Sequence, residues 1–504
     1  MDYYGYFLGS YSAWVSPRTC KEFPMTHVLP PLARHAATHR RMVLSICLAA
    51  AVMPMTFTGG AIATPELGRS FQNTGPALSW VVNAFMMVFG ALPLIAGALA
   101  DRIGRRRVFR FGVTGFALTG VALALAPSLL VIDLLRGLQG VFAAATLAGG
   151  TAVLAQIPDE GPRRRAFSMI GATFGLGLAF GPLVAGWALS LGGWRGVFLA
   201  ASALAVASLI SGAGAVPESR APQAGRFDAP GAALFAGLLC SLTAWAILVP
   251  QSGLIAGPQG LLIAAFVLLL IAFIAWERRC PAPMFDLTLL RDPAFLGVQA
   301  LPVATCFGFV SLLVIVPVQL IGAGHSEVMA AAISLALSAP VFLVPMLLAR
   351  FSPPRRDRLI AGGLSLAALG LFALGLTPFD GSLAALIPAL LLIGLGSGLP
   401  WGLMDGLAIE VAPRDKAGVA TGMFSTVRVA SEGIVLALVS AIYAGLITWL
   451  GGTDSATASG IVAGGAVPRA LHPAVTEACR ALFWGLAALT LLMALLIRRR
   501  LGPR

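Results

Sequence analysis

Charge is what this chain has least of. Of its 504 residues only 11% are Asp, Glu, Lys or Arg, while 58% are hydrophobic; an ordinary soluble domain carries roughly 25% charged residues. So few polar groups could not cover the surface of a freely soluble fold, and that class is excluded. Histidine is scarcer still. Three of the five (His27, His35, His39) precede the first apolar run, and His325 and His472 fall between later runs. Metal and nucleophile chemistry needs clustered His, Cys, Asp or Glu. No cluster forms, so the chain reads as a non-enzyme without a metal site. The six cysteines (Cys20, Cys47, Cys240, Cys280, Cys306, Cys479) include no CxxC pair, which leaves neither a zinc motif nor a disulfide framework. A phosphate-cradling GxxxxGK[ST] loop is absent too, and no cofactor is expected.

Apolar sequence fills the space left by charge. A membrane-spanning helix needs about 20 predominantly apolar residues. Fourteen such runs are present, at 43–63, 79–99, 108–126, 130–154, 166–190, 195–216, 229–249, 258–276, 294–320, 328–349, 359–377, 383–411, 417–447 and 481–497. Plentiful Gly (58) and Pro (33) suit packed membrane helices, where small residues let backbones approach and neighbours tolerate kinks.

The formal charge is +13, but the basic residues are not interleaved with aromatics as on a nucleic-acid surface. They alternate with the runs instead. With both termini cytoplasmic, 28 of the 34 Lys and Arg residues fall in inside segments; Arg69, Arg195, Arg469 and Arg480 fall outside, and Arg136 and Arg428 lie within runs. This follows the positive-inside rule and requires an even number of spans. Residues 1–42 read as a cytoplasmic tail, or as a shorter one beginning at Met25. Residues 43–216 make a first six-helix bundle. Residues 217–293 are a linker with two extra transmembrane helices, and 294–504 a second six-helix bundle. That bundle includes a long, flexible outer loop at about 448–480, rich in Gly, Ala, Ser and Thr. A faint repeat (Pro158-Asp-Glu-Gly-Pro before the fifth run, Pro413-Arg-Asp-Lys before the thirteenth) fits paired halves with a site between them.

Three motifs carry chemistry. Gly97-Ala-Leu-Ala-Asp101-Arg102-Ile-Gly104-Arg105-Arg106-Arg107 is more than a basic cluster. Two glycines at fixed spacing permit a close helix contact and a tight turn, and Asp101 can pair with a neighbouring helix end. Leu134-Leu-Arg136-Gly-Leu-Gln139-Gly140 places an arginine inside a run, at a cost of roughly 2.5–3.5 kcal/mol on insertion scales. Arg136 therefore snorkels, pairs with Asp133, or has a role in coupling. Gly171–Gly186, GATFGLGLAFGPLVAG, is a kinked small-residue face against which a helix can slide.

These stretches resemble, in turn, the cytoplasmic loop motif, the RxxqG motif and the antiporter motif of the major facilitator superfamily. In the last, Gly177, Gly181, Pro182 and Gly186 match, and Ala185 replaces one of the paired glycines. Arg226-Phe-Asp-Ala-Pro-Gly231 and Glu277–Leu287 resemble segments of its fourteen-helix drug:proton antiporters. The resemblance implies an all-α membrane protein with the major facilitator fold, two six-helix bundles plus two additional helices. It implies proton-driven efflux of small amphipathic compounds across a bacterial inner membrane, with a proton-coupled importer on the same fold as the alternative. The partners implied are a small-molecule substrate, protons and the lipid bilayer; nothing assigns a periplasmic adaptor. Three positions depart from the family pattern: Thr56 stands where an acid is usual, Ala61 where an Asn is, and Phe85 where a Tyr is. The embedded acids are Asp405, Glu410 and Glu432. Asp405 and Glu432 are the candidates for proton coupling, with Arg428 one turn before Glu432 on the same helix face and Arg136 as a modulator.

Overall fold

The computed structural model describes residues 31–501, apart from 73–76, 221–226, 253–256, 282–284, 286–287, 326, 349–354, 378, 380–382, 412–416 and 463–466. Most of the predicted tail, with Arg226, Arg350, Arg414, Lys416 and Arg504, lies outside the described residues. Among the described residues there is no strand.

Helices cover all fourteen apolar runs. The first half comprises α1 (Pro31–Ser70), α2 (Ala77–Ala91), α3 (Pro93–Ile103), α4 (Arg105–Ala124), α5 (Leu129–Leu154) and α6 (Glu160–Gly212). Then come α7 (Ala229–Ser252) and α8 (Pro258–Glu277). The second half holds α9 (Pro293–Thr305), α10 (Leu312–Gly322), α11 (Glu327–Leu348), α12 (Arg356–Leu376), α13 (Leu383–Glu410), α14 (Ala417–Gly451), α15 (Ser455–Val462) and α16 (His472–Leu501). Among the described residues, eleven helices are long and apolar enough to cross a membrane, and the pair α2–α3, bent by 50°, makes a twelfth. α6 holds two of the predicted runs, because Gly192 and Gly193 leave helical geometry between them. Gly193 adopts φ +60°, and a Cβ there would sit 2.8 Å from the Glu66 carboxylate, so glycine alone fits that reversal.

The α2–α3 bend has a local cause. Pro93 has no N–H to donate and its ring clashes with the preceding turn. The Leu94 N–H points out of the ladder and donates to Thr426 Oγ1 on α14 at 3.1 Å. Between α9 and α10 a wide π turn spans Cys306–Val310. Such turns loosen the i→i−4 ladder inside a span.

The stretch at 448–480 differs from the predicted flexible loop. α14 runs to Gly451, α16 begins at His472, and α15 stands between them with Ala458 and Ile461 buried. Asp454 opens α15: its carboxylate accepts from the Thr457 hydroxyl at 2.6 Å and the Thr457 N–H at 2.9 Å. These bonds hold its carboxyl below the ordinary value. The composition hid the helix because Ser and Thr weaken helix propensity while favouring exactly such caps.

Packing divides the helices into two sets. In the first half α1 lies along α6, α4 packs on α5 and α6, and α2 packs on α5. In the second, α12 packs on α13 and α16, α11 on α13, and α9 on α16. The halves meet where α6 touches α11 and α13, and where α2 and α3 touch α14. α7 packs on α14 and α2, with α8 outside it. α8 buries only Gln259, Phe273 and Glu277, and Leu261 is 74% exposed. A helix this apolar and this exposed makes sense against lipid.

Candidate functional site

The hairpin at Asp101–Arg105 is built as a docking piece. Gly104 separates α3 from α4 at φ +125°, and a Cβ there would meet Glu218 Oε1 at 2.5 Å. Asp101 pairs with the first residue of the next helix, α4. It accepts from Arg105 Nε at 3.0 Å and pairs with Nη2 at 2.9 Å. The Arg105 N–H donates to Ser219 O at 3.0 Å, Arg107 pairs with Glu218 at 3.7 Å, and Arg102 lies 6.0 Å from the Phe227 ring. The arginines thus hold the chain leaving α6. Gly97 has nothing within 4 Å of a built Cβ, so the expected close helix contact is not made there.

In the Gly171–Gly186 stretch, Gly177 and Gly181 lie against α1. A Cβ on Gly177 would strike the Ala51 carbonyl and Pro54, and one on Gly181 the Thr58 hydroxyl. Gly186 faces open space, so the smooth face ends before it. The earlier glycines face the other half: Gly171 sits against Asp405 Oδ2 (3.0 Å from a built Cβ) and Gly175 against Val341 O (3.1 Å).

Asp405 and Arg428 form the central ion pair. Arg428 Nη1 donates to Asp405 Oδ1 at 2.8 Å and Oδ2 at 3.1 Å. The arginine side chain is 3% exposed and the aspartate 14%. The Phe174 ring, from the first half, lies 4.0 Å from Arg428 Cζ, and Trp401 5.7 Å. The partner expected from sequence, Glu432, is not the one observed. Position i+4 shares a helix face, but the Arg428 side chain reaches across to α13. Glu432 is buried with Oε1 unpartnered. Glu410 pairs with Arg356 on α12. Sequence reading missed Phe174 and Trp401. Both lie in apolar runs, and an aromatic at helical spacing is indistinguishable from core without its neighbour.

Arg136 is fully buried among α1, α2, α5 and α6. Its Nε donates to Val81 O at 2.6 Å, Nη1 to Gln139 Oε1 at 2.7 Å, and Nη2 to Thr56 O at 3.4 Å. It neither snorkels nor forms an ion pair with Asp133, whose Oδ1 is buried without a partner.

Two bundles, a glycine-punctuated hairpin and buried charge between the halves define a helical membrane fold. The Major Facilitator Superfamily model matches residues 44–436. The chain belongs to this superfamily. It is 31% identical to the puromycin resistance protein pur8 of Streptomyces alboniger over 84% of this chain and 86% of that one. It is 30% identical to the multidrug resistance protein Stp of Mycobacterium tuberculosis over 78% and 73%. Among solved structures, the human organic anion transporter MFSD10 superposes with a TM-score of 0.63 at 17% identity, over 93% of this chain and all of that one. That likeness shows the fold. A multi-pass membrane protein of a transporter superfamily follows from the match and the apolar helices.

Proposed function

We propose that this superfamily member is a proton-driven exporter of small amphipathic compounds, working by alternating access between 43–216 and 294–504. Relatives named for drug and antibiotic resistance support export over uptake, and so does the glycine face of α6 against α1. The fourteen apolar runs of the sequence and the peripheral α7–α8 pair favour the fourteen-helix drug:proton antiporters within the superfamily. The distribution of arginine supports an inner-membrane orientation with both termini and the Asp101 hairpin cytoplasmic.

The observation that carries the mechanism is the Asp405–Arg428 pair. Both residues belong to the second half, yet the pair is lidded by Phe174 and Gly171 of the first. When the halves part at this seam, the pair loses its lid and gains water. A proton on Asp405 then competes with Arg428 for the carboxylate, and protonation releases the arginine. Glu432, one turn along α14 and with its Oε1 unpartnered among the described residues, is positioned to accept that arginine next.

The test is substrate movement in proteoliposomes after a pH jump, comparing wild type with Asp405→Asn and Glu432→Gln. Loss of gradient-driven accumulation in at least one variant, with exchange at equal pH retained, is expected. If both variants keep full gradient-driven movement, these acids do not couple protons.

A further inference from the structure

The departures at positions 56 and 85 converge on one atom group. Thr56 and Phe85, standing where the resembling family carries an acid and a Tyr, both touch the Arg136 guanidinium: Thr56 through its backbone oxygen, and Phe85 with its ring 4.4 Å from Cζ. Neither residue supplies a side-chain oxygen acceptor to the buried cation. What remains as acceptors are two carbonyls and one amide oxygen, all neutral, and the carbonyl facing Nη2 is distant at 3.4 Å. Among the described residues no ion pair reaches Arg136. Asp133, three residues earlier on α5, acts on it only through space.

The surroundings add donors rather than acceptors. Thr56 Oγ1 and Gln139 Nε2 are buried with no hydrogen-bond partner, on residues 3% and 0% exposed. Gln139 already meets the guanidinium through its Oε1, and Thr56 through its backbone carbonyl. Gly60, one turn after Thr56, lets α1 approach; a Cβ there would sit 3.0 Å from Nη2. Buried donors without acceptors cost about 1–3 kcal/mol each, and a buried cation without a carboxylate costs more. A ligand oxygen bearing negative charge supplies the kind of acceptor these groups lack, and charge-assisted bonds are the strong ones.

We propose that Arg136, Thr56 and Gln139 form a subsite for the acidic group of the transported compound, which makes this chain a carrier of amphipathic organic anions rather than cations. This rests on the transporter reading above and names its substrate class. The apolar remainder of the ligand meets Phe85 and Phe198, whose rings flank the guanidinium at 4.4 and 5.9 Å. Entry requires Phe85 to swing off the guanidinium face.

The experiment measures binding to the purified full chain in lipid nanodiscs, with no gradient, by ligand-dependent thermal stabilisation. The probes are the carboxylate, carboxamide and methylammonium derivatives of naphthalene, biphenyl and decane. Wild type is expected to bind the carboxylate at least tenfold tighter than the amide or the ammonium on the scaffolds that bind. Thr56→Asp introduces a carboxylate on the α1 residue whose carbonyl accepts from Arg136; it is expected to abolish that preference and to favour the ammonium. Arg136→Gln is expected to level carboxylate and amide, and Thr56→Asp covers the case in which Arg136→Gln does not fold. No carboxylate advantage on any scaffold overturns the proposal, as does an advantage that survives Thr56→Asp. Anion preference with no proton-driven flux sinks the exporter reading alone, and flux of cations without anion preference sinks the subsite alone.

Discussion

At the scale of single residues, Asp405 and Arg428 hold each other's charge in a buried pair at the seam between the halves. An arginine or an acid inside an apolar run announces itself, because the membrane penalises it unless a partner or a function repays the cost. Arg136, Asp405, Arg428 and Glu432 were all visible in that way. Their partners were not. Sequence spacing reports neighbours on one helix, and Arg428 turned to α13 instead of along α14 to Glu432. The pairing has a measurable consequence. Removing one member of a buried pair leaves an uncompensated charge, at roughly 3–5 kcal/mol. Asp405→Asn alone is therefore expected to lower the unfolding temperature in detergent clearly, since Arg428 is 3% exposed. Asp405→Asn with Arg428→Gln, which removes both charges, is expected to recover most of the loss. Additive losses in the double variant would mean that the two side chains do not stabilise each other.

At the scale of elements, the helices were legible and their interruptions less so. Twenty apolar residues predict a span wherever they fall, so every run became helix. The bend at Pro93 has a proline cause, but the run 79–99 reads as one span. The π turn at Cys306–Val310 left no mark in composition, and α15 was hidden in a stretch whose Gly, Ala, Ser and Thr read as loop. Glycines of one motif also proved unequal, which spacing cannot reveal. Gly104 sits at φ +125° against Glu218, whereas Gly97 meets nothing. Gly104→Ala is expected to cost about 1–3 kcal/mol of strain at that turn. The hairpin would then release the chain at Glu218–Ser219, read as faster trypsin cleavage at Arg220. Gly97→Ala is expected to leave cleavage and unfolding temperature unchanged. Equal effects of the two changes would show that the hairpin is not held by its turn.

At the scale of the whole molecule, two bundles and their order along the chain followed from run count and charge alternation, but not the state in which the halves stand. Close approaches between the halves include Leu94 N–H to Thr426 Oγ1 at 3.1 Å, Gly90 against Ala430 Cα at 3.0 Å from a built Cβ, Gly171 against Asp405 at 3.0 Å and Gly175 against Val341 O at 3.1 Å. Each joins a helix of one half to a helix of the other. A carrier that alternates must break these contacts once per cycle, so tying them is expected to stop it. With the native cysteines replaced by serine or alanine, Leu94→Cys and Thr426→Cys place thiols across the α3–α14 seam. Oxidation to the disulfide is expected to abolish flux in proteoliposomes and reduction to restore it. A pair within one half, Ser45→Cys with Ser208→Cys, where the native hydroxyls lie 3.4 Å apart, controls for cross-linking itself and is expected to leave flux intact. If the α3–α14 disulfide forms completely and flux continues, the halves do not part along this seam. The motion would then have to lie within a bundle, with the Asp405–Arg428 pair remaining lidded throughout.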